Sequence, residues 1–187
     1  PEMLKVASQM ALIPIWFLAV YVAVVVLVPV TFRAWQRHGC VSFGLLVCAA
    51  VVDDLLFFAA DLPAVGWLNY AFVWLAVHQL GYAWRDGFLA GPRQGLAWVL
   101  GGGILLLGLI TLGPYPISKL SVPGESVSNT LPPKISMLAL GIVHCGLLLS
   151  VEKPKRRCLA KTTPWTDLVL INIMIITVFL WNLTATT

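Results

Sequence analysis

Trp74, His78, Tyr82 and Arg85 recur at intervals of four, four and three residues, the spacing that sets side chains along one stripe of an α-helix. A neutral imidazole both donates and accepts hydrogen bonds and titrates near neutrality. On a cavity wall His78 could take a proton from a hydroxyl or orient a substrate, with the phenol and guanidinium beside it. In another reading His78 is a satisfied packing residue and Arg85 an ordinary helix exit, while Gln79 points elsewhere to bond another helix. A second group is acidic: Asp53, Asp54 and Asp61. Adjacent helical residues point about 100° apart, whereas residues seven apart share a face. Asp54 and Asp61 could therefore line one wall that binds a sugar hydroxyl or holds a base. Otherwise one Asp is protonated or hydrogen-bonded to a neighbouring helix.

Which reading holds depends on the solvent around these residues. Of 187 residues 59% are hydrophobic and 11% charged, well under the roughly 25% charged of a soluble domain. The mean hydropathy is +0.90. Apolar runs recur at Leu12–Val30, Val41–Leu62, Pro63–Trp84, Leu96–Leu112, Ile135–Val151 and Trp165–Leu183, each near the ~20 residues that cross the hydrocarbon core. No stretch alternates apolar and polar residues as a transmembrane β-strand does. The reading is an all-α, polytopic transmembrane helix bundle of about six spans, forming a single transmembrane domain over residues 1–187. The N-terminal stretch PEMLKVASQM lacks the charge pattern of a signal peptide and does not start with Met, so position 1 is not expected to be the natural start.

Nine of the twelve Lys and Arg fall on one side of this arrangement. They are Arg33 and Arg37 after the first span, Arg85 and Arg93 after the third, and Lys153, Lys155, Arg156, Arg157 and Lys161 after the fifth. Only Lys5, Lys119 and Lys134 fall on the other. The positive-inside rule puts the nine in the cytoplasm, with both ends of the chain and the loop 113–134 outside the cell membrane. That loop is rich in proline, which argues against a helix there. A connection so long is a substrate-facing segment or a simple connector. In this frame Asp53 and Asp54 lie about twelve residues, or roughly 18 Å, from the cytoplasmic end of span two. His78 lies within about 10 Å of the inner boundary, too far from Asp54 for a simple dyad.

Other chemistry finds less support. Cys40, Cys48, Cys145 and Cys158 show no CxxC pairing and read as free thiols, not as a zinc site or disulfide framework. The three His are too scattered to hold a metal, and there is no GxSxG elbow. Basic residues divided among short loops do not make a nucleic-acid face. GGGILLLG at 101–108 lacks the Lys and strand of a phosphate loop and reads as helix packing or flexibility. His144 and Asn182 are isolated polar positions that could act as glue between helices. The run EKPKRRC, 152–158, could meet anionic lipid or the phosphates of CoA, though a basic inner loop needs no ligand.

Four blocks carry a likeness to a known family: IPIWFLAVYVAVVVLVP, LNYAFVWLAVHQLGYAWRDG, TLGPYPISKLSVPGESVSNTLPPKISMLALG and ITVFLWNLTA. Together they cover most of the chain, and it resembles the integral-membrane acyltransferase 3 family in its actinobacterial form. The second and third blocks are the more specific. The resemblance implies a bacterial multi-pass enzyme that moves an acyl group from acyl-CoA, often acetyl-CoA, to a hydroxyl of a glycan, lipid or metabolite. It implies acyl-CoA as a co-substrate, with no bound cofactor or metal. The family's Arg-His pair, spaced about ten residues, has no match here, which implies an internal or C-terminal portion whose partners include missing N-terminal helices. Relatives commonly have Trp-His where this chain has Trp181-Asn182, so Asn182 could hydrogen-bond a substrate but not titrate. Of the residues present, His78 is the catalytic candidate, with Asp54, Asp61, Trp74, Tyr82, Arg85 and Asn182 as cavity candidates. A non-enzymatic transporter or scaffold, using intramembrane Asp and His as a proton or substrate path, is the alternative; it should show inverted repeats or broken helices, and none is apparent.

Overall fold

In a computed structural model the described residues are 2–89, 91–117, 127–159, 165–171 and 174, with side chains described for 18–89, 91–117, 127–152, 165–171 and 174. The chain forms two compact units, Pro1–Val25 with Lys153–Thr187, and Val26–Glu152. The first is helical wherever it is described. The second holds every expected site residue except Asn182, which lies outside the described residues together with most of the expected sixth span.

The helices are α1 (Glu2–His38), α2 (Cys40–Ala59), α3 (Asn69–Arg85), α4 (Pro92–Leu112) and α5 (Ile135–Leu159), with a 3-10 turn at Val65–Leu68. No strand occurs among the described residues. Four segments are long and apolar enough to cross a membrane: Leu18–His38, Cys40–Ala59, Pro92–Leu112 and Ile135–Glu152. The chain is thus an all-helical protein of membrane-embedded character. The expected second and third spans differ: α2 stops at Ala59, short of Leu62, Asp61 beyond it takes a φ of 52°, and the third helix begins only at Asn69 and runs for 17 residues. Pro63 removes a backbone donor there. Gly66 is held so tightly that an added Cβ would lie 2.7 Å from Phe57 and 2.9 Å from Pro132.

The first two helices meet more sharply than expected. α1 continues to His38, so Arg33 and Arg37 lie on its last turns instead of in a loop. Gly39 alone makes the turn, with a φ of 54° that glycine adopts without a Cβ penalty.

Two apolar clusters hold the Val26–Glu152 unit together. One joins α2, α3 and α5 through Ala50, Val73, Ala76, Ile135, Met137 and Leu138. The other gathers Trp35, Tyr82, Ala83, Leu89 and Leu149. α4 and α5 meet through glycine: a Cβ on Gly146 would sit 2.7 Å from the Gly95 carbonyl oxygen, and one on Gly102 would strike Ile142 and Val143. Small residues let helices approach backbone to backbone where lipid supplies no hydrophobic drive. Gly101, Gly103 and Gly108 face open space, so the glycine run packs by one edge only.

Candidate functional site

Most of the buried polar residues gather at the end of α2 near Ala59. Asp53 and Asp54 are each only 2% exposed, five to six residues, or about 8–9 Å, from the end of the helix. Asp54 is the hub. Its Oδ1 accepts from Asn69 Nδ2 at 2.9 Å, and its Oδ2 accepts from the Tyr115 hydroxyl at 3.0 Å and from the Ile135 backbone N–H at 2.8 Å. Lys134 Nζ stands 3.7 Å from Oδ1. All these partners donate, the pattern an ionised carboxylate satisfies. The Ile135 amide is one of the donors the first turn of α5 leaves free, so a side chain of α2 caps another helix.

Lys134 is fully buried. Its ammonium lies 3.1 Å from the centroid of Phe57 and 5.1 Å from that of Phe58, within cation–π range. It makes no hydrogen bond among the described residues. Asp53 differs from its neighbour: neither carboxylate oxygen has a hydrogen-bond partner among the described residues. Burial, and then the Asp54 carboxylate, pushes the Tyr115 phenol up, keeping its proton available to donate.

The segment between α4 and α5 is packed against this cluster. Residues 128–138 are buried apart from Leu131. Asn129 donates to the Pro116 carbonyl at 2.6 Å and accepts from Ser136 Oγ at 2.7 Å, and Tyr70 donates to the Thr130 carbonyl at 3.4 Å. Its described parts form no helix, as the prolines require, yet they are seated in the bundle, unlike a loose connector.

The stripe on α3 forms a second, separate group. His78 is half-buried, its Nδ1 without a partner among the described residues, and its ring stands edge-on to Tyr82 with centroids 5.0 Å apart. Tyr82 is buried, with its hydroxyl 3.1 Å from Thr31 Oγ1. Arg85 is exposed, pairs with Asp86 at 2.7 Å and lies 4.5 Å from the Phe32 ring centroid. Trp35 Nε1 donates to Asp86 at 2.7 Å. That indole, followed by Arg85, holds the Asp86 carboxyl below the usual carboxylate range. Gln79 reaches another helix as expected, accepting from Ser42 Oγ on α2 at 3.1 Å.

Several expectations need correction. Asp61 does not share a helix face with Asp54: it lies past the end of α2 and is exposed. Trp74 packs against the α2–α3–α5 cluster. His144 bonds the Leu140 carbonyl of its own helix at 2.8 Å and is exposed, so it bridges no helices. Asn69, Tyr115 and Lys134 were not expected at the site. The signal for Lys134 was present: a charge immediately before an apolar span, on a face with few other cations to answer two intramembrane acids. His78 stands nine residues, about 13 Å along the helix, from Asn69.

Among the described residues no three His, Cys, Asp or Glu side chains gather to hold a metal ion. Cys40, Cys48 and Cys145 are free thiols. A groove of Ala97, Trp98, Gly101, Gly102, Leu105 and Ile142 between α4 and α5 is apolar and offers no reactive side chain. No protein-family model, curated protein or solved structure matches the chain.

Proposed function

We propose that this chain is part of a membrane-embedded O-acyltransferase that moves an acyl group from a cytoplasmic acyl-CoA, such as acetyl-CoA, to a hydroxyl of a glycan, lipid or metabolite. One observation supports the reading. The two most specific blocks of the family resemblance converge on Asp54, which belongs to neither: Asn69 comes from one, and Tyr115, Lys134 and Ile135 from the other. In this reading α3 and the segment 165–183 also cross the cell membrane, giving six spans with the nine basic residues inside and 113–134 outside.

The acceptor oxygen attacks the thioester carbon, the carbon–sulfur bond breaks, and CoA leaves as its thiol after receiving the hydroxyl proton. His78 is the candidate base, with an unpartnered Nδ1 on the half of α3 nearer the basic face. The stripe of Tyr82 and Arg85 lies between it and that face. Asp54 serves as a positioning residue, because its oxygens are already engaged by donors. The test uses the protein together with the N-terminal helices that the resemblance implies, purified and incubated with radiolabelled acetyl-CoA and a cell-envelope glycan extract. Label should move to the glycan, and His78→Ala should lower transfer about 100-fold or more with folded protein unchanged. Equal loss of folded protein and transfer would make His78 a packing residue. Silence from well-folded protein that also fails to bind CoA would overturn the acyltransferase reading in favour of a transporter or scaffold.

A further inference from the structure

Asp53 and Asp54 are neighbours in sequence with unlike surroundings. Asp54 accepts from Asn69, Tyr115 and the Ile135 amide and faces the ammonium of Lys134. Asp53, equally buried at 2% exposure, receives no donor among the described residues. The one buried cation at this site stands on Asp54. Two carboxylates and one ammonium leave a negative charge in a segment that crosses the membrane, and a buried charge without a partner is strongly disfavoured.

We propose that Asp53 is a membrane-buried proton-binding site: the carboxyl carries a proton while Lys134 serves Asp54, and the proton can leave when Lys134 divides its charge between the two carboxylates. The described groups around the site fit this scheme. Asp54 and Lys134 are the charges acting on Asp53. α3 contributes Asn69 and Tyr70, and the segment before α5 contributes Tyr115, none of them a charged partner. Lys134 Nζ makes no hydrogen bond among the described residues that would hold it to Asp54 alone, and its charge acts on both carboxylates. A metal cation is a poor occupant: no third acidic, His or Cys ligand joins the pair among the described residues, and the adjacent ammonium repels it. The scheme does not depend on acyl transfer.

Infrared difference spectroscopy on the purified protein at neutral pH tests it, because a protonated carboxyl has a carbonyl band that shifts in D2O. The wild type should show such a band, labelling with carbon-13 aspartate should move it, and Asp53→Asn should abolish it while Asp54→Asn keeps it. Absence of the band in the wild type, or its loss in Asp54→Asn with persistence in Asp53→Asn, overturns the proposal. If an Asn variant fails to fold, Asp53→Glu decides, since a glutamate carboxyl does not carry the aspartate label: the isotope-shifted band should disappear there, and its persistence would leave the proton on Asp54, the other buried acid of the described residues, and overturn the proposal.

Discussion

Each end of α3 brings an aspartate near a cation, in different surroundings. At the Asn69 end, Asp54 and Lys134 are 3.7 Å apart and almost wholly enclosed. At the Arg85 end, Arg85 and Asp86 are closer, at 2.7 Å, yet the side chains are 52% and 31% exposed. Proximity alone would rank the second pair higher. Burial reverses the order, because water already solvates exposed charges while an enclosed charge depends on its few partners. The enclosed pair also recruits a helix amide, a phenol and a carboxamide, and the open one leans on an indole and an aromatic face.

The largest expected effect breaks the enclosed end. Asp54→Ala strands Lys134 and orphans three donors, and should destabilise the protein by about 3–5 kcal/mol in unfolding measurements in detergent. A loss under about 1 kcal/mol would put both ends on the same footing. Tyr82→Phe removes the bond to Thr31 at the other end and should cost about 1 kcal/mol by the same measurement. Arg85→Ala should lose no more than about 1 kcal/mol, and its difference from wild type should shrink with added salt. The smallest effect sharpens the contrast by pH. Asp86 has a depressed folded pKa, so its contribution is present above the ordinary carboxylate value of about 3.9 and fades as pH falls through the lower folded value. The melting-temperature lead of wild type over Asp86→Asn should therefore vanish on acidification, while salt at neutral pH narrows it.

The helical class, the Gln79 bond to a neighbouring helix and the exit at Arg85 were legible in the sequence because they follow from local periodicity and from hydropathy. So was the hydrogen bonding of one of the two acids to a neighbouring helix, but not which acid makes those bonds. That assignment depends on Asn69, Tyr115 and Lys134, which arrive from other elements, and helical spacing does not say which residues of other elements a side chain meets. Asp61 was misplaced for a related reason: seven-residue spacing implies a shared face only while the helix continues, and α2 stops at Ala59. His144 shows the converse, a polar residue whose need is met by the carbonyl four residues back within its own helix.

The capping of α5 by a side chain of α2 has a consequence for biosynthesis. The carboxylate and the amide it receives are 81 residues apart, and a chain is made from its N-terminus. α2 is therefore complete while Lys134 and the first turn of α5 are still to be translated. A nascent chain halted after α4 holds both acids without their cation, so the last step of settling α2 belongs to the arrival of α5.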